Sequence, residues 1–135
     1  MQNVVVGYDG SEDSKRALDR AATLGRQGAT ITIVAAVALG LHGPRSMGAL
    51  NEDEMRAERE VLDAARNDLK AQGVDVHAIE GEGDPADVIV EAAKEANADL
   101  VIVGTRGRGA AKRAFMGSVS TKVVHNAHCD VLVVR

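Results

Sequence analysis

The residues best suited to chemistry are Gly104-Thr105-Arg106-Gly107-Arg108-Gly109 and, further on, Gly117-Ser118-Val119-Ser120. Glycines let a backbone approach a ligand closely and adopt positive φ. A helix that starts at Ser118 offers unpaired N–H groups and the positive end of its dipole, a setting that favours an anion. The hydroxyls of Ser118 and Ser120 are further candidate donors. Arg106, Arg108, Lys112 and Arg113 lie within this stretch, which contains no acidic residue although the chain carries a net charge of −4. At about 1.5–3 kcal/mol for each charge-assisted hydrogen bond, a few such groups suffice to hold a triphosphate at micromolar affinity. The same residues also fit a plain turn with a solvated basic face, and their position must decide. Asp9, after the first apolar run, can accept hydrogen bonds from a ribose or a base, help hold a cation, or simply cap a helix beside Ser11.

Position follows from the elements. Val4-Val5-Val6 is a continuous apolar run, the mark of a strand buried on both faces. Ser11 can cap a helix carrying Ala17, Leu18, Ala21, Ala22 and Leu24, with Gly28 as its stop. Thr30 to about Val37 is β-branched and predicts a second strand. Residues 38–50 contain three Gly and a Pro without periodicity, which predicts a loop. Asn51 and Glu54 form a capping-box pattern for a helix whose buried stripe is Met55, Val61, Leu62, Ala65 and Leu69, ended by Gly73. Val74 to about Ile79 alternates like an edge strand. Asp84-Pro85 opens a third helix carrying Val88, Ile89, Ala92, Ala93 and Ala96. Leu100 to Val103 is a second central strand, Ser118 to Asn126 a last helix, and Val131 to Val134 a final strand.

Regular alternation of strand and helix predicts an α/β fold: one open five-stranded parallel sheet with helices on both faces, over residues 1–135 as a single domain. With the two most continuous strands adjacent at the centre, the strand order is 3-2-1-4-5. Ligands bind outside the carboxyl ends of the strands where the winding reverses, here between strands 1 and 4. The basic glycine loop and Asp9 both fall at that point, which favours the anion-binding reading.

Composition narrows the rest. Hydrophobic residues make up 45% of the chain and charged residues 27%, a soluble globular profile. The acidic balance and the near absence of aromatics (Tyr8 and Phe115) argue against a dedicated nucleic-acid binder. A lone Cys129 suits a reducing compartment. Met1 leads directly into a strand, and no run approaches the roughly 20 apolar residues of a membrane span, so a cytoplasmic location is expected.

The spacing Gly104-x-x-Gly107, nine residues, Gly117-Ser118 resembles the nucleotide signature of ATP-binding universal stress proteins. VVVGYDGS, GDPADVIVEAA, ADLVIVGTRGRG and CDVLVVR are similar to that family as well, so the resemblance spans nearly the whole chain. It implies a Rossmann-like, adenine-nucleotide-binding sheet, a homodimer, and ATP between the loops of strands 1 and 4. By position, Asp9 would face the nucleoside, and Ala36 and Val37 would line adenine. Val103, Gly104, Arg106 and Gly107 would wrap ribose and phosphates, while Gly117, Ser118, Val119 and Ser120 would bind phosphate. Two positions depart from the family pattern. Ala35-Ala36 replaces a usual His-Val, and Asp130 stands where Pro is usual.

Other motifs lead elsewhere. Gly81-Glu82-Gly83-Asp84-Pro85-Ala86 has dinucleotide-fingerprint spacing, but Glu80, Glu82 and Asp84 would repel a pyrophosphate, so a loop and helix cap are expected there. His125, His128 and Cys129 lack a second ligand pair for zinc. Three functional readings remain. One is a nucleotide-dependent regulator that binds ATP with Mg²⁺ or Mn²⁺, pairs as a homodimer through its apolar C-terminal strand and is read by a protein partner. Another is a slow ATPase, for which neither loop supplies a group placed to orient water. The third is a dimerising scaffold with a vestigial site.

Overall fold

The computed structural model describes residues 2–37, 52–106 and 116–135. The glycine-rich segment 38–50, the helix cap at Asn51, and Gly107, Arg108, Gly109, Lys112 and Arg113 lie outside the described residues. The elements run β1 (Asn3–Gly7), α1 (Glu12–Arg26), β2 (Thr30–Val37), α2 (Glu52–Ala71), β3 (Asp75–Glu82), α3 (Pro85–Glu95), β4 (Leu100–Gly104), α4 (Ser118–Asn126) and β5 (Asp130–Val134). All the strands pair in parallel, in the order β3-β2-β1-β4-β5. The sheet, its order and its helices are those read from the sequence.

The pleat divides the core. Val4 and Val6 of β1 pack with Ala17, Leu18 and Ala21 of α1 and Leu62, Ala65 and Leu69 of α2. Val5 points the other way, among Ile89, Ala93, Val101, Val103 and Val123 of α3, β4 and α4. Side chains alternate across a strand, so a continuous Val run feeds both layers. The helix starts have local causes. Ser11 Oγ accepts from the Ser14 N–H at 3.2 Å, and Asp84 Oδ2 accepts from the Asp87 N–H at 3.1 Å with Pro85 in the first turn.

Two expectations need correction. Gly81 and Glu82 are not loop residues: they belong to β3 and pair with Ala36 and Val37 of β2. β2 extends far enough to offer those partners, and Gly81 has no side chain to obstruct Val88, whose Cγ1 would lie 2.5 Å from an added Cβ. Val61 is not in the buried stripe of α2. It is 45% exposed and lines the cleft between α1 and α2, while Leu62, Ala65 and Leu69 are buried. Among the described residues no helix is long and apolar enough to cross a membrane.

A charged clasp joins the two helices on the second face. Lys122 of α4 reaches Asp84 and Asp87 at the start of α3, each at 3.1 Å. Burial is the largest influence on the Asp84 carboxyl and pushes its pKa up. The hydrogen bonds from Asp87 and Lys122, with the Lys122 charge, outweigh it, and the net pKa is lowered. Bonds to Asp87 and Asp84 raise that of Lys122. A lowered carboxylate stabilises above its unfolded value of about 3.9 and ceases to do so as pH falls through its folded value; a raised ammonium stabilises below about 10.4. Both groups are exposed and screened, so the contribution is small. Lys122→Met should therefore lower the Tm slightly near neutrality, with the gap closing on acidification as Asp84 is protonated, below the usual carboxylate range. Melting curves of both proteins across that range check this.

Candidate functional site

Parallel pairing of Val4, Val5 and Val6 with Leu100, Val101 and Ile102 brings the carboxyl ends of β1 and β4 side by side. β2 flanks them, with Gly7 opposite Val34 and the Tyr8 N–H donating to Val34 O at 2.9 Å. Asp9, Ala36, Val37, Val103, Gly104, Arg106 and residues 117–120 are therefore gathered along one edge of the sheet. Gly107 lies outside the described residues.

Asp9 holds the turn into α1. Its Oδ1 accepts the Ser11 N–H at 2.9 Å, and its own N–H donates to Ser14 Oγ at 3.3 Å, which in turn donates to Ser11 O at 3.0 Å. Tyr8 beside it has its phenol pKa raised by burial first, then by Asp9 and Asp19, so the hydroxyl stays protonated and able to donate.

Thr105 pins both ends of the basic loop. Its N–H and its Oγ1 each donate to Val134 O at 2.8 Å, fastening β4 to the end of β5. Its carbonyl accepts the Gly117 N–H at 2.6 Å and the Ser120 hydroxyl at 2.9 Å. The chain thus leaves β4 at Arg106 and returns at Met116 to nearly the same point. α4 begins there with Gly117 as its N-cap and no side-chain capping bond. The first N–H groups of a helix have no intrahelical acceptor, so this start remains suited to a phosphate.

The candidate residues contribute in different ways. Ser118 is exposed at the first position of α4. Ser120 is 2% exposed, and its hydroxyl bonds Thr105 O and Gly117 O. It was expected to add a hydroxyl donor toward a ligand; it turns inward instead, sharing the Thr105 and Gly117 carbonyls with the Gly117 and Thr121 N–H groups. Val103 is buried in the second core layer, leaving its main chain to face the edge. Ala36 is half-buried near the end of β2.

A cleft of about 870 Å³ opens between α1 and α2. Among the described residues Asp9 is the one candidate in its lining, which also holds Tyr8, Leu18 and Val61. Asp19, Glu54, Glu58 and Asp68 face Lys15 there. Such a rim opposes a polyphosphate, so the cleft and the β4–α4 segment differ in electrostatic character and meet near Asp9.

Sequence reading missed Asp13. It lies 6% exposed in the first turn of α1, and its Oδ2 accepts the Arg106 N–H at 3.1 Å. A signal existed: stepping the buried stripe Ala17, Leu18, Ala21 back by one turn lands on Asp13 and Ser14. Cys129 fits its expected packing role. Its thiol pKa is raised by burial first, then by Asp130 and Asp99, which keeps it a weak nucleophile at neutral pH.

An open parallel sheet in the order β3-β2-β1-β4-β5, with helices on both faces, defines a doubly wound α/β domain. Comparison with known proteins gives the family. The sequence profile of the Universal stress protein family matches residues 1–135, and the chain belongs to that family. It is 38% identical over 139 residues to a universal stress protein of Thermus aquaticus, with 99% of this chain and 98% of that protein covered. The fold matches that of universal stress protein UspA from Lactobacillus plantarum at a TM-score of 0.86 and 21% identity, covering 99% and 97% of the two chains. It is also similar to a universal stress protein solved in complex with cAMP, at a TM-score of 0.74 and 33% identity, covering 99% and 97%.

Proposed function

We propose that this protein binds ATP at the carboxyl edge between β1 and β4 and works as a nucleotide-dependent regulator. The observation that carries the reading is the Thr105 clasp, which returns a basic glycine loop to the uncapped start of α4 at the switch point of the sheet. The 33%-identical relative solved with cAMP supports an adenine nucleotide as the ligand class. In this reading Asp9 meets the nucleoside, Ala36 and Val37 flank the adenine, and the main chain of Val103, Gly104, Arg106 and Gly107 follows ribose and phosphates. Ser118, Val119 and Ser120 supply N–H groups to the phosphates beside Gly117, whose own N–H is held by Thr105 O, and Ser118 adds its hydroxyl. Mg²⁺ or Mn²⁺ enters with the triphosphate.

The signal passes through β5. That strand pairs with β4 along one side and ends the sheet, and its apolar residues leave an edge that proteins usually cover. Pairing with the same strand of a second chain across a two-fold gives a homodimer. A protein partner in the cytoplasm then reads the ATP-bound form. A ligand shifts such an equilibrium only by its differential affinity for the two states.

Isothermal titration tests the binding. ATP with Mg²⁺ should bind with a Kd of order micromolar, given about 1.5–3 kcal/mol for each charge-assisted bond. Phosphate release should stay below roughly one turnover per minute, far under usual enzyme rates. Absence of binding at millimolar ATP would remove the regulator reading; fast release would make the protein an ATPase.

A further inference from the structure

Asp13 is a buried charge, and a buried charge requires partners. Its side chain is 8% exposed. Oδ1 takes the guanidinium of Arg16, while Oδ2 takes the Arg106 N–H at 3.1 Å and lies 3.8 Å from Arg106 Nε. Arg16 also donates from Nε to Arg135 O at 2.8 Å. The carboxylate reaches the loop because Gly104 has no side chain: an added Cβ would stand 2.7 Å from Asp13 C and Cβ. The first backbone N–H of the basic loop, with the guanidinium next to it, thus faces an anion supplied by the protein itself.

Resting on the ATP-binding reading, we infer that Asp13 is a positioning residue that sets the preference of the site for phosphate. It acts as an internal anion on Arg106. It orders the start of the loop, and an entering polyphosphate competes with it for the N–H and the guanidinium. The charge therefore disfavours ATP while leaving adenosine, which brings no phosphate, nearly unaffected. Arg16 moderates the competition by sharing the carboxylate. A merely structural Asp13 would change stability or all affinities together, whereas a competing anion changes the ratio between them.

The test is titration of the full chain and two variants with adenosine, Mg-ATP and inorganic tripolyphosphate. Asp13→Asn keeps the shape and an acceptor for the Arg106 N–H but removes the charge. It should raise the affinity for ATP relative to adenosine by about tenfold, the order of one charge-assisted bond, and tripolyphosphate should follow ATP. Arg16→Gln leaves Asp13 more fully engaged with Arg106, so the ratio should fall. Arg16 is half-exposed, with 49% of its side chain accessible, so this second variant decides the matter if Asp13→Asn does not fold. Unchanged ratios, or shifts of the opposite sign, with adenosine and ATP still binding, overturn the role of Asp13 alone. If wild type and variants bind none of the three probes, the nucleotide reading falls and takes this inference with it.

Discussion

Gly104→Val should lower stability by about 3 kcal/mol, at the upper end of typical overpacking costs, and reduce the Tm by roughly 10 °C at this chain length. Gly104 ends β4 where α1 crosses the sheet. A Cβ there would lie 2.7 Å from Asp13 C and Cβ and 2.9 Å from Ser14 N. These are mostly main-chain atoms in the first turn of a helix, so no rotamer change relieves the contact. Valine suits a strand better than glycine by up to about 1 kcal/mol, but that gain is smaller than the cost of moving the helix start. Moving the start of α1 also shifts the Asp9 turn, whose Oδ1 accepts the Ser11 N–H, so nucleotide affinity should fall along with stability. Thermal melts of Gly104→Ala and Gly104→Val should show losses that increase with side-chain size. A Val variant as stable as wild type would mean that α1 does not pack against β4 in this way.

Leu69→Ala should cost about 3 kcal/mol, within the 2–5 kcal/mol usual for emptying such a site. Leu69 is 1% exposed and packs in the layer that contains Leu62, Ala65, Ile31 and Val74. Its carbonyl also accepts the N–H groups of Gln72 and Val74, closing the turn from α2 into β3. The main chain makes those bonds and survives the substitution, so the loss is one of packing. In urea the midpoint should drop while the slope stays unchanged. Because Leu69 lies at the far end of α2 from the carboxyl edge of the sheet, ATP affinity of the folded variant should match wild type. Set beside Gly104→Val, this separates damage to the core from damage to the site.

The contrast also shows what the sequence made legible. Val4-Val5-Val6 and Leu100–Val103 identified the central strands because only a strand covered on both faces tolerates a continuous apolar run. Asp84-Pro85 and Ser11 marked helix starts through capping chemistry that is local in the chain. The switch point then followed from topology. Contacts between distant residues were less accessible. The helical period sets Asp13 on the buried stripe and the neighbouring Glu12 off it, but what Asp13 bonds emerges only when α1 is laid across Gly104. Ser120 looked like a ligand donor because its need to bond Thr105 O and Gly117 O arises only when β4, β5 and α4 converge. Gly81-Glu82 looked like a loop because β2 supplies its partners from more than forty residues away.

The most direct test of the central claim is thermal unfolding with and without millimolar Mg-ATP, on wild type and on Gly117→Val at the start of α4. At 100 times its Kd a ligand adds about 2.7 kcal/mol of stability, a shift of several degrees for a chain of this size. ATP is expected to raise the Tm of wild type and to leave that of Gly117→Val unmoved. If neither protein shifts, and GTP and AMP also fail, the edge between β1 and β4 is not a nucleotide site and the fold serves as a scaffold.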